Sequence, residues 1–136
     1  MMWAARYVGL PFLDHGRDWS GVDCWGLIVL VMREERDIAL PSYGETSAFD
    51  LAAVAGLIAG ESALEPWSPA VRAEPFDVAV MHRRRDPVHV GIMVTENQIL
   101  HIEQRTAAVM VPIDHASIRF RYPRFFRHRE LMHNAA

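Results

Sequence analysis

The sequence predicts an α+β domain in which N-terminal helices pack on an antiparallel sheet. Two observations lead to this prediction: apolar segments with helix-start signals fill the first half of the chain, and short β-branched segments separated by turn residues fill the second. Helices followed by a run of strands are typical of the α+β class. With 136 residues, 51% of them hydrophobic, the chain can bury one core, so we expect residues 1–136 to form a single domain.

Sequence signals divide the first half of the chain into helices and connections. Ser20 and Asp23 have the spacing of a capping box in front of an apolar run, so the main helix is predicted to start there. Ser47 is predicted to cap a second helix. The predicted segments are a short helix in Met2–Val8, a loop in Gly9–Gly21, the main helix up to about Asp37, a second helix in Ala48–Ala59 and a connection in Glu61–Glu74.

Five short segments in the second half of the chain are predicted strands. They are rich in β-branched residues and are bounded by turn residues. They span Asp77–Met81, Val88–Val94, Gln98–Glu103, Ala107–Val111 and Ile118–Tyr122. Their short connections favour antiparallel neighbours, because a parallel pair needs a long crossover.

Cys24, the only cysteine, is predicted to lie in the first turn of the main helix. Unpaired N–H groups and the helix dipole favour a thiolate there, and the thiolate is the nucleophilic form of cysteine. A lone cysteine can also be no more than a small buried hydrophobe, so its role depends on the histidines. Gly26 lowers helix stability relative to alanine, and a close approach of helix and sheet would explain it.

Two histidines lie on the hairpin formed by the second and third predicted strands. Because side chains alternate between the faces of a sheet, a two-residue or four-residue loop would place His89 and His101 on opposite faces. The shared face needs an odd-numbered loop or a bulge, and a three-residue loop at 95–97, with Asn97 in the left-handed region, meets this need. It pairs Gly91 with His101, leaves room for the imidazole and places both rings on one face. A cysteine, a base and a residue that orients the base make up a cysteine-hydrolase triad.

Composition argues against a metal or a disulfide. One cysteine excludes an internal bridge and the multi-cysteine zinc sites. The seven histidines include no His-Glu-x-x-His pattern of a metallopeptidase. Hydrolysis without a cofactor is the simpler interpretation, so we expect neither a cofactor nor a metal site.

Three parts of the sequence resemble the NlpC-type cell-wall cysteine peptidases, which share a compact papain-like fold. Gly9–Phe12 resembles the entry segment of that family, and Asp23–Leu27 resembles its nucleophile motif. His89–Ile92, with His101 twelve residues after His89, resembles its two-histidine hairpin. The resemblance therefore spans nearly the whole chain.

The resemblance implies roles for individual residues. Cys24 would be the nucleophile, His89 the general base and then the acid, and His101 the group that orients the base. Asp23 would contact the free amine of a short stem peptide in addition to capping the helix. The substrate-binding residues that the resemblance implies are Asp23, Trp25, Phe12 and Gly91.

Two positions depart from the pattern of the family. Phe12 stands where a tyrosine hydroxyl usually helps to bind the oxyanion, so backbone N–H groups such as that of Cys24 would have to bind it. Trp25 replaces a small serine, a form associated with the subgroup in the tails of phages and gene transfer agents. Trp19 and Trp25 would wall a narrow cleft, or serve only as core anchors.

By resemblance, the protein is a cysteine endopeptidase of peptidoglycan stem peptides that cleaves the bond between D-glutamate and the diamino acid. The alternative is a structural component of a phage-like tail tip with little or no activity. An acyltransferase or amidase on the same scaffold is a third interpretation. The triad favours the enzyme, because a purely structural protein has no physical reason to keep all three residues.

The sequence also bears on location. Met1–Tyr7 lacks the basic and apolar regions of a secretory signal, and the longest apolar run, Leu27–Met32, is six residues. We therefore expect neither a signal peptide nor membrane insertion. A wall peptidase of this kind would be made in the bacterial cytoplasm and delivered to the periplasm or cell wall in a phage-like particle. The tail-tip or hub proteins of that particle would be its partners.

Two basic segments have two interpretations each. Five arginines lie between Arg119 and Arg129 among aromatic residues, whereas the rest of the chain has nine arginines against 17 acidic residues. This segment is either a final strand with solvated arginines or a partner-docking surface. Nucleic acid is not an expected partner, because the formal net charge is −3. His82–Asp86 is either a solvated turn or a basic rim of the active-site cleft that attracts the carboxylates of a stem peptide.

Overall fold

A computed structural model describes residues 2–133 and shows helices packed on an antiparallel sheet, so the predicted α+β class is confirmed. The helices are α1 (Met2–Ala5), α2 (Cys24–Arg36), α3 (Leu51–Ser62), α4 (Ala116–Arg119) and α5 (Arg129–His133). The strands are β1 (Arg17–Asp18), β2 (Gly21–Val22), β3 (Trp67–Ala70), β4 (Val78–Arg83), β5 (Asp86–Thr95), β6 (Gln98–His101), β7 (Val109–Pro112) and β8 (Arg124–His128). No helix in this part of the chain is long and apolar enough to cross a lipid bilayer.

The main sheet has six strands in the order β3-β8-β4-β5-β6-β7, and every neighbouring pair is antiparallel. Strands β1 and β2 form a separate small hairpin in the segment that was predicted to be a loop. Both α2 and α3 pack against β5. The main core lies between these helices and the sheet, and a smaller apolar cluster around Met81, Met93 and Ile99 is separate from it.

Helix α2 carries the cysteine and is the most deeply buried helix. All of Leu27–Met32 is buried, so most of its circumference contacts protein. The carboxylate of Asp23 caps the N-terminus by accepting a hydrogen bond from the Gly26 N–H at 2.8 Å. Asp37 ends the helix in the left-handed conformation, with φ of 55°. The predicted end is confirmed, but the predicted capping role of Ser20 is wrong, because its hydroxyl and N–H both bond to Asp18.

The start of α3 differs from the prediction. The helix begins at Leu51 with Asp50 as its cap, three residues after the predicted start. The carboxylate of Asp14 accepts hydrogen bonds from the Ser47 hydroxyl and the Ala48 N–H. These bonds to a distant residue hold the predicted cap outside the helix.

Two other predictions for the second half of the chain are wrong. The connection at 61–74 contains β3, which pairs with β8 at the edge of the sheet. The strand predicted at 118–122 is instead α4 followed by a turn, and the last strand begins at Arg124. Tyr122 has φ of 50°, a left-handed conformation that interrupts a strand, and Pro123 has no N–H to donate to a ladder.

The β5–β6 hairpin reaches the predicted register by a different route. Its turn contains only two residues, since Thr95 pairs with Gln98, and Asn97 is not among the residues with positive φ in the described chain. The three-residue loop is therefore wrong, and the alternative, a bulge, is present. A register shift between Met93 and Thr95 adds one residue to β5 and restores the pairing of Met93 with Ile99. This bulge gives the register that the histidines require.

The cap of α2 yields a stability prediction. The Asp23 carboxylate is 3% exposed and also pairs with Arg17 at 2.7 Å. We expect Asp23→Ala to lower the free energy of unfolding by about 2–4 kcal/mol, because it removes a cap and leaves a guanidinium without its partner. Asp50→Ala, which removes only the exposed cap of α3, should cost about 1 kcal/mol. Urea unfolding of both variants tests this, and equal losses would contradict the buried ion pair as the source of the difference.

Candidate active site

The structure brings the three predicted catalytic residues to one end of the sheet. Cys24 is the first residue of α2, His89 lies near the start of β5, and His101 is the last residue of β6. Cys24 and His89 line the same groove, which has a volume of about 540 Å³ and is called the active-site groove below. The backbone N–H of Val90, next to His89, is close enough to the thiol of Cys24 to act on its pKa. Cysteine and histidine are therefore neighbours across the junction of α2 and β5.

The two histidines form a buried hydrogen-bonded pair. Nε2 of His89 lies 3.1 Å from Nδ1 of His101, and the ring planes meet at 78°. The residues are only 5% and 2% exposed. The prediction that both rings share one face is confirmed. Because Nε2 of His89 is engaged with His101, Nδ1 is the ring nitrogen left for the thiol.

Gly91 makes room for this pair. A Cβ atom at this position would lie 2.6 Å from Cδ1 of Ile99 and 3.0 Å from Cβ of His101. The predicted space for the imidazole is confirmed, and Ile99 uses the same space. Gly91 is itself buried and is not among the residues that line the active-site groove, and its contact with substrate stays a prediction.

Burial reverses the ionisation expected for Cys24. Cys24 is 8% exposed. Desolvation first, and the neighbouring Asp23 carboxylate second, raise the pKa of the thiol to about 12. Backbone N–H groups of Val90 and Trp25 act in the opposite direction but do not offset burial. The expectation that the helix N-terminus holds a thiolate is therefore wrong, and the resting form is the thiol.

The pKa of the partner imidazole shifts in the complementary direction. Burial lowers the pKa of His89 to about 3, with Glu103 raising it and Arg121 and His101 lowering it further. Burial likewise lowers the pKa of His101. At neutral pH both rings are uncharged, so His89 has a free lone pair with which to accept a proton. A neutral thiol and a neutral imidazole that line one groove fit general-base activation of the thiol during attack.

An ion pair beside the histidines could not be found from sequence motifs. Oε1 of Glu103 lies 2.6 Å from Nη1 of Arg121, 3.5 Å from Nε2 of His89 and 3.6 Å from Nδ1 of His101. Desolvation raises the pKa of Glu103, but His89 and Arg121 outweigh it and the net shift is downward. The carboxylate therefore stays charged next to both rings. With the two imidazoles it supplies three donors that could hold a metal ion.

A basic turn borders the active-site groove. His82, Arg83 and Arg84 line it together with Arg121, and Glu103 is the acidic residue on the same wall. Arg83 ends β4 and Arg84 follows it in the β4–β5 turn; both are exposed, so their charges face solvent and the groove at once. This placement favours the second sequence interpretation, a basic rim.

Phe12 and Trp25 line different walls near Cys24. Phe12 lines the active-site groove, and its ring meets Phe49 edge-on at 5.8 Å. Trp25 lines an apolar cavity of about 60 Å³ on the other side of Cys24, and its indole N–H bonds to the Pro41 carbonyl at 2.8 Å. Contact of either residue with substrate stays a prediction.

Asp23 and Trp19 have structural partners. The Asp23 carboxylate already accepts bonds from Gly26, Arg17 and the backbone N–H of His15. Its contact with a substrate amine stays a prediction. Trp19 stacks on Tyr7 at 4.8 Å, in the role of a packing anchor.

A close approach of the backbone explains Gly26, but it is not the approach of helix and sheet that was predicted. A Cβ atom there would lie 2.0 Å from the carbonyl oxygen of Gly16 and 2.8 Å from Nη1 of Arg17. The loop before β1, and not the sheet, therefore presses on the first turn of α2. This contact fixes the turn that carries Cys24.

Most of the C-terminal arginines have identified partners. Arg127 pairs with Asp77 and Glu74, and Arg121 pairs with Glu103. Arg129 lies 3.7 Å from Glu65. The segment thus contains a strand, β8, and arginines in and beside it that meet acidic residues, which favours the first of the two sequence interpretations.

A cysteine at a helix N-terminus that shares a groove with a two-histidine hairpin is the arrangement of a papain-like hydrolase. Residues 9–129 match the NlpC/P60 family. The chain therefore belongs to the NlpC/P60 family, whose members are cysteine peptidases.

Solved structures share the fold. The NlpC/p60 domain of the peptidoglycan hydrolase SagA aligns with a TM-score of 0.61 at 20% identity, over 90% of this chain and 90% of that one. A Staphylococcus aureus protein of the NLP/P60 family, described as similar to a lipoprotein, aligns with a TM-score of 0.56 at 19% identity. That alignment covers 89% of this chain and only 38% of the staphylococcal one. No curated protein matches this chain.

The lowered pKa of His89 predicts an unusual pH profile. An exposed imidazole loses its function as a base when the pH falls through about 6.5. Because burial lowers the pKa of His89, we expect the acidic limb of kcat/KM to lie well below pH 6.5. Initial rates across the acidic range test this, with circular dichroism at each pH as a control for unfolding. A limb centred near 6.5 in folded protein would contradict the neutral buried pair.

Proposed function

We propose that the protein is a cysteine endopeptidase of peptidoglycan stem peptides, with Cys24 as nucleophile, His89 as base and acid, and His101 as the orienting residue. The observation that carries this proposal is the hydrogen bond between His89 Nε2 and His101 Nδ1, which leaves Nδ1 as the ring nitrogen of His89 available to the thiol. Membership of the NlpC/P60 family supports the same roles. The distance from Sγ to Nδ1 stays a prediction, which we expect to be about 3–4.5 Å.

The proposed reaction uses one proton carrier twice. As Sγ of Cys24 attacks the peptide carbonyl, the thiol proton passes to Nδ1 of His89. That proton then goes to the leaving amine, and a thioester remains on Cys24. Water attacks the thioester, gives a proton to His89 and releases the acid, after which the proton returns to sulfur. His101 accepts the Nε2–H of His89 throughout, which keeps the base in the tautomer with Nδ1 free.

The tyrosine hydroxyl that usually helps to bind the oxyanion in this family is absent here, so another donor must take its place. Phe12 lies at the groove without a hydroxyl, so we propose that the backbone N–H of Cys24 serves as donor. The first N–H groups of a helix have no partner within the helix and point out of its N-terminus. They are available for the charge that develops on the carbonyl oxygen.

The basic rim supports a carboxylate-rich substrate. Stem peptides carry free carboxylates, and Arg83 and Arg84 place positive charge on the groove wall. We propose cleavage between D-glutamate and the diamino acid. The peptidoglycan hydrolase SagA, whose domain shares this fold, is consistent with a wall substrate.

The setting we propose is the tail tip of a phage-like particle. Trp25 in place of a small serine carries this proposal. The protein would be made in the bacterial cytoplasm and reach the periplasm or wall with the tail, in contact with tail-tip or hub proteins. A catalytically inactive tail component is the second candidate, favoured by the deep burial of the thiol.

Active-site substitutions test the catalytic proposal. We expect Cys24→Ala to abolish release of peptides from purified peptidoglycan, and His89→Ala to lower the rate about 10²–10⁴-fold through loss of acid–base chemistry. His101→Gln should cost less, because an amide can also orient the ring. Fragments identified by mass spectrometry give the bond cleaved. Wild-type activity in Cys24→Ala would overturn the nucleophile, and a folded wild type that releases nothing would favour the inactive component.

The groove rim yields a specificity prediction. We expect Arg83→Gln combined with Arg84→Gln to raise KM for a carboxylate-bearing stem peptide about five- to tenfold, with kcat nearly unchanged, because rim charges act on binding. Arg85→Gln is the matched control, because Arg85 lies in the same turn but does not line the groove. The difference should shrink at high salt, which screens exposed charges. Equal effects of the control and the double variant would contradict a binding role for the rim.

A further inference from the structure

Three donor atoms, one of them on the proposed base His89, lie close together. Nε2 of His89 and Nδ1 of His101 are 3.1 Å apart, and Oε1 of Glu103 lies 3.5 Å and 3.6 Å from them. The atoms come from two neighbouring strands and the segment just after them, so the sheet fixes their spacing. The catalytic proposal requires the two histidines but assigns no function to a carboxylate at this position.

The spacing matches a tetrahedral zinc site. Zinc binds imidazole nitrogen and carboxylate oxygen at about 2.0–2.2 Å, which places two ligand atoms of a tetrahedron about 3.3–3.5 Å apart. All three observed separations lie within a few tenths of an ångström of this value. Two imidazoles with one carboxylate suit zinc, whereas calcium and magnesium prefer oxygen ligands.

We propose that His89, His101 and Glu103 form an inhibitory Zn²⁺ site in which the metal replaces the hydrogen bond between the two imidazoles. A fourth position is left for water, as in other zinc sites with three protein ligands. The inhibitory part of this inference rests on the proposed function, because it assumes that His89 is the base. The binding part depends only on the positions of the three donors.

The choice of ring nitrogens explains why zinc would inhibit. Catalysis needs the proton of His89 on Nε2, bonded to His101, with Nδ1 free to accept the thiol proton. Zinc on Nε2 forces that proton to Nδ1. The neutral ring then presents N–H, and not a lone pair, to Cys24. Zinc would thus hold the base in its wrong tautomer without any contact with the nucleophile.

Arg121 competes with the metal for the Glu103 carboxylate, so substitutions of these two residues should change zinc affinity in opposite directions. Its Nη1 atom holds Oε1 of Glu103 at 2.6 Å, so the guanidinium competes with zinc for the carboxylate. Glu103 and Arg121 side chains are 43% and 28% exposed, respectively, so the pair can separate without opening the core. Loss of the carboxylate should weaken the site, and loss of the guanidinium should strengthen it. Zinc bound elsewhere on the protein would not lose affinity on loss of Glu103 and gain affinity on loss of Arg121.

Zinc binding can be measured without any substrate. Titration of the full chain with Zn²⁺ against a chromophoric chelator should give one site whose Kd rises at least tenfold in Glu103→Gln and falls about threefold or more in Arg121→Gln. Glu96→Gln, in the exposed β5–β6 turn, is the matched control and should leave Kd unchanged. Unchanged affinity in Glu103→Gln would overturn the site. A Co²⁺ spectrum with a thiolate charge-transfer band would also overturn it, because it would place the metal on Cys24.

Two further readouts link binding to the base. Nitrogen-15 NMR of the histidine rings should show the proton of His89 moving from Nε2 to Nδ1 as zinc is added, and an unchanged tautomer would overturn the inhibitory mechanism. Peptidoglycan hydrolysis should fall with the same Kd and recover with a chelator. Zinc binding by a chain that hydrolyses nothing would refute the proposed function and leave the metal site supported. Full activity with the site saturated would refute inhibition alone.

Discussion

The site depends on a one-residue register shift in β5. The β5–β6 turn contains two residues, and with that turn alone His101 would face away from His89 because side chains alternate along a strand. The bulge near Val94 adds one residue on β5 only, and the two imidazoles come within 3.1 Å. Gly91 allows the shifted register, because a side chain there would collide with Ile99 and His101. The other parts of the site, including the Cys24 turn and the basic rim, are useful only if this pair exists.

Local chemistry in the sequence was enough to predict the main elements, but long-range hydrogen bonds were not visible in it. The helix that carries Cys24 was predicted with its end, and the two-histidine face was predicted because alternation limits the register to two choices. The predicted start of α3 was wrong because Asp14, far away in sequence, binds the residues that would otherwise begin the helix. The three-residue loop was the wrong choice for the hairpin because a bulge has the same effect on side-chain direction, and alternation alone does not distinguish the two.

In the candidate site, too, local sequence signals were predictive and long-range contacts were not visible. Cys24, His89 and His101 were found from their types and spacing, whereas the ion pair of Glu103 with Arg121 joins residues 18 positions apart and matches no motif. A thiolate was expected at Cys24 because the helix N-terminus favours the charged form, but that expectation left out the desolvation of a buried thiolate. At 8% exposure, desolvation outweighs the N–H groups, and the thiol stays protonated until a base removes its proton.

The central claim is that Cys24 carries the acyl group of the substrate, and trapping that intermediate tests it most directly. Acid quenching within the first turnover on a stem peptide, followed by peptide mapping with mass spectrometry, should find the acyl mass on the peptide that contains Cys24. His89→Ala should form this adduct far more slowly. An adduct on another residue, or peptide cleavage by wild-type protein with no adduct at any quench time even when deacylation is slowed at low temperature, would contradict the account.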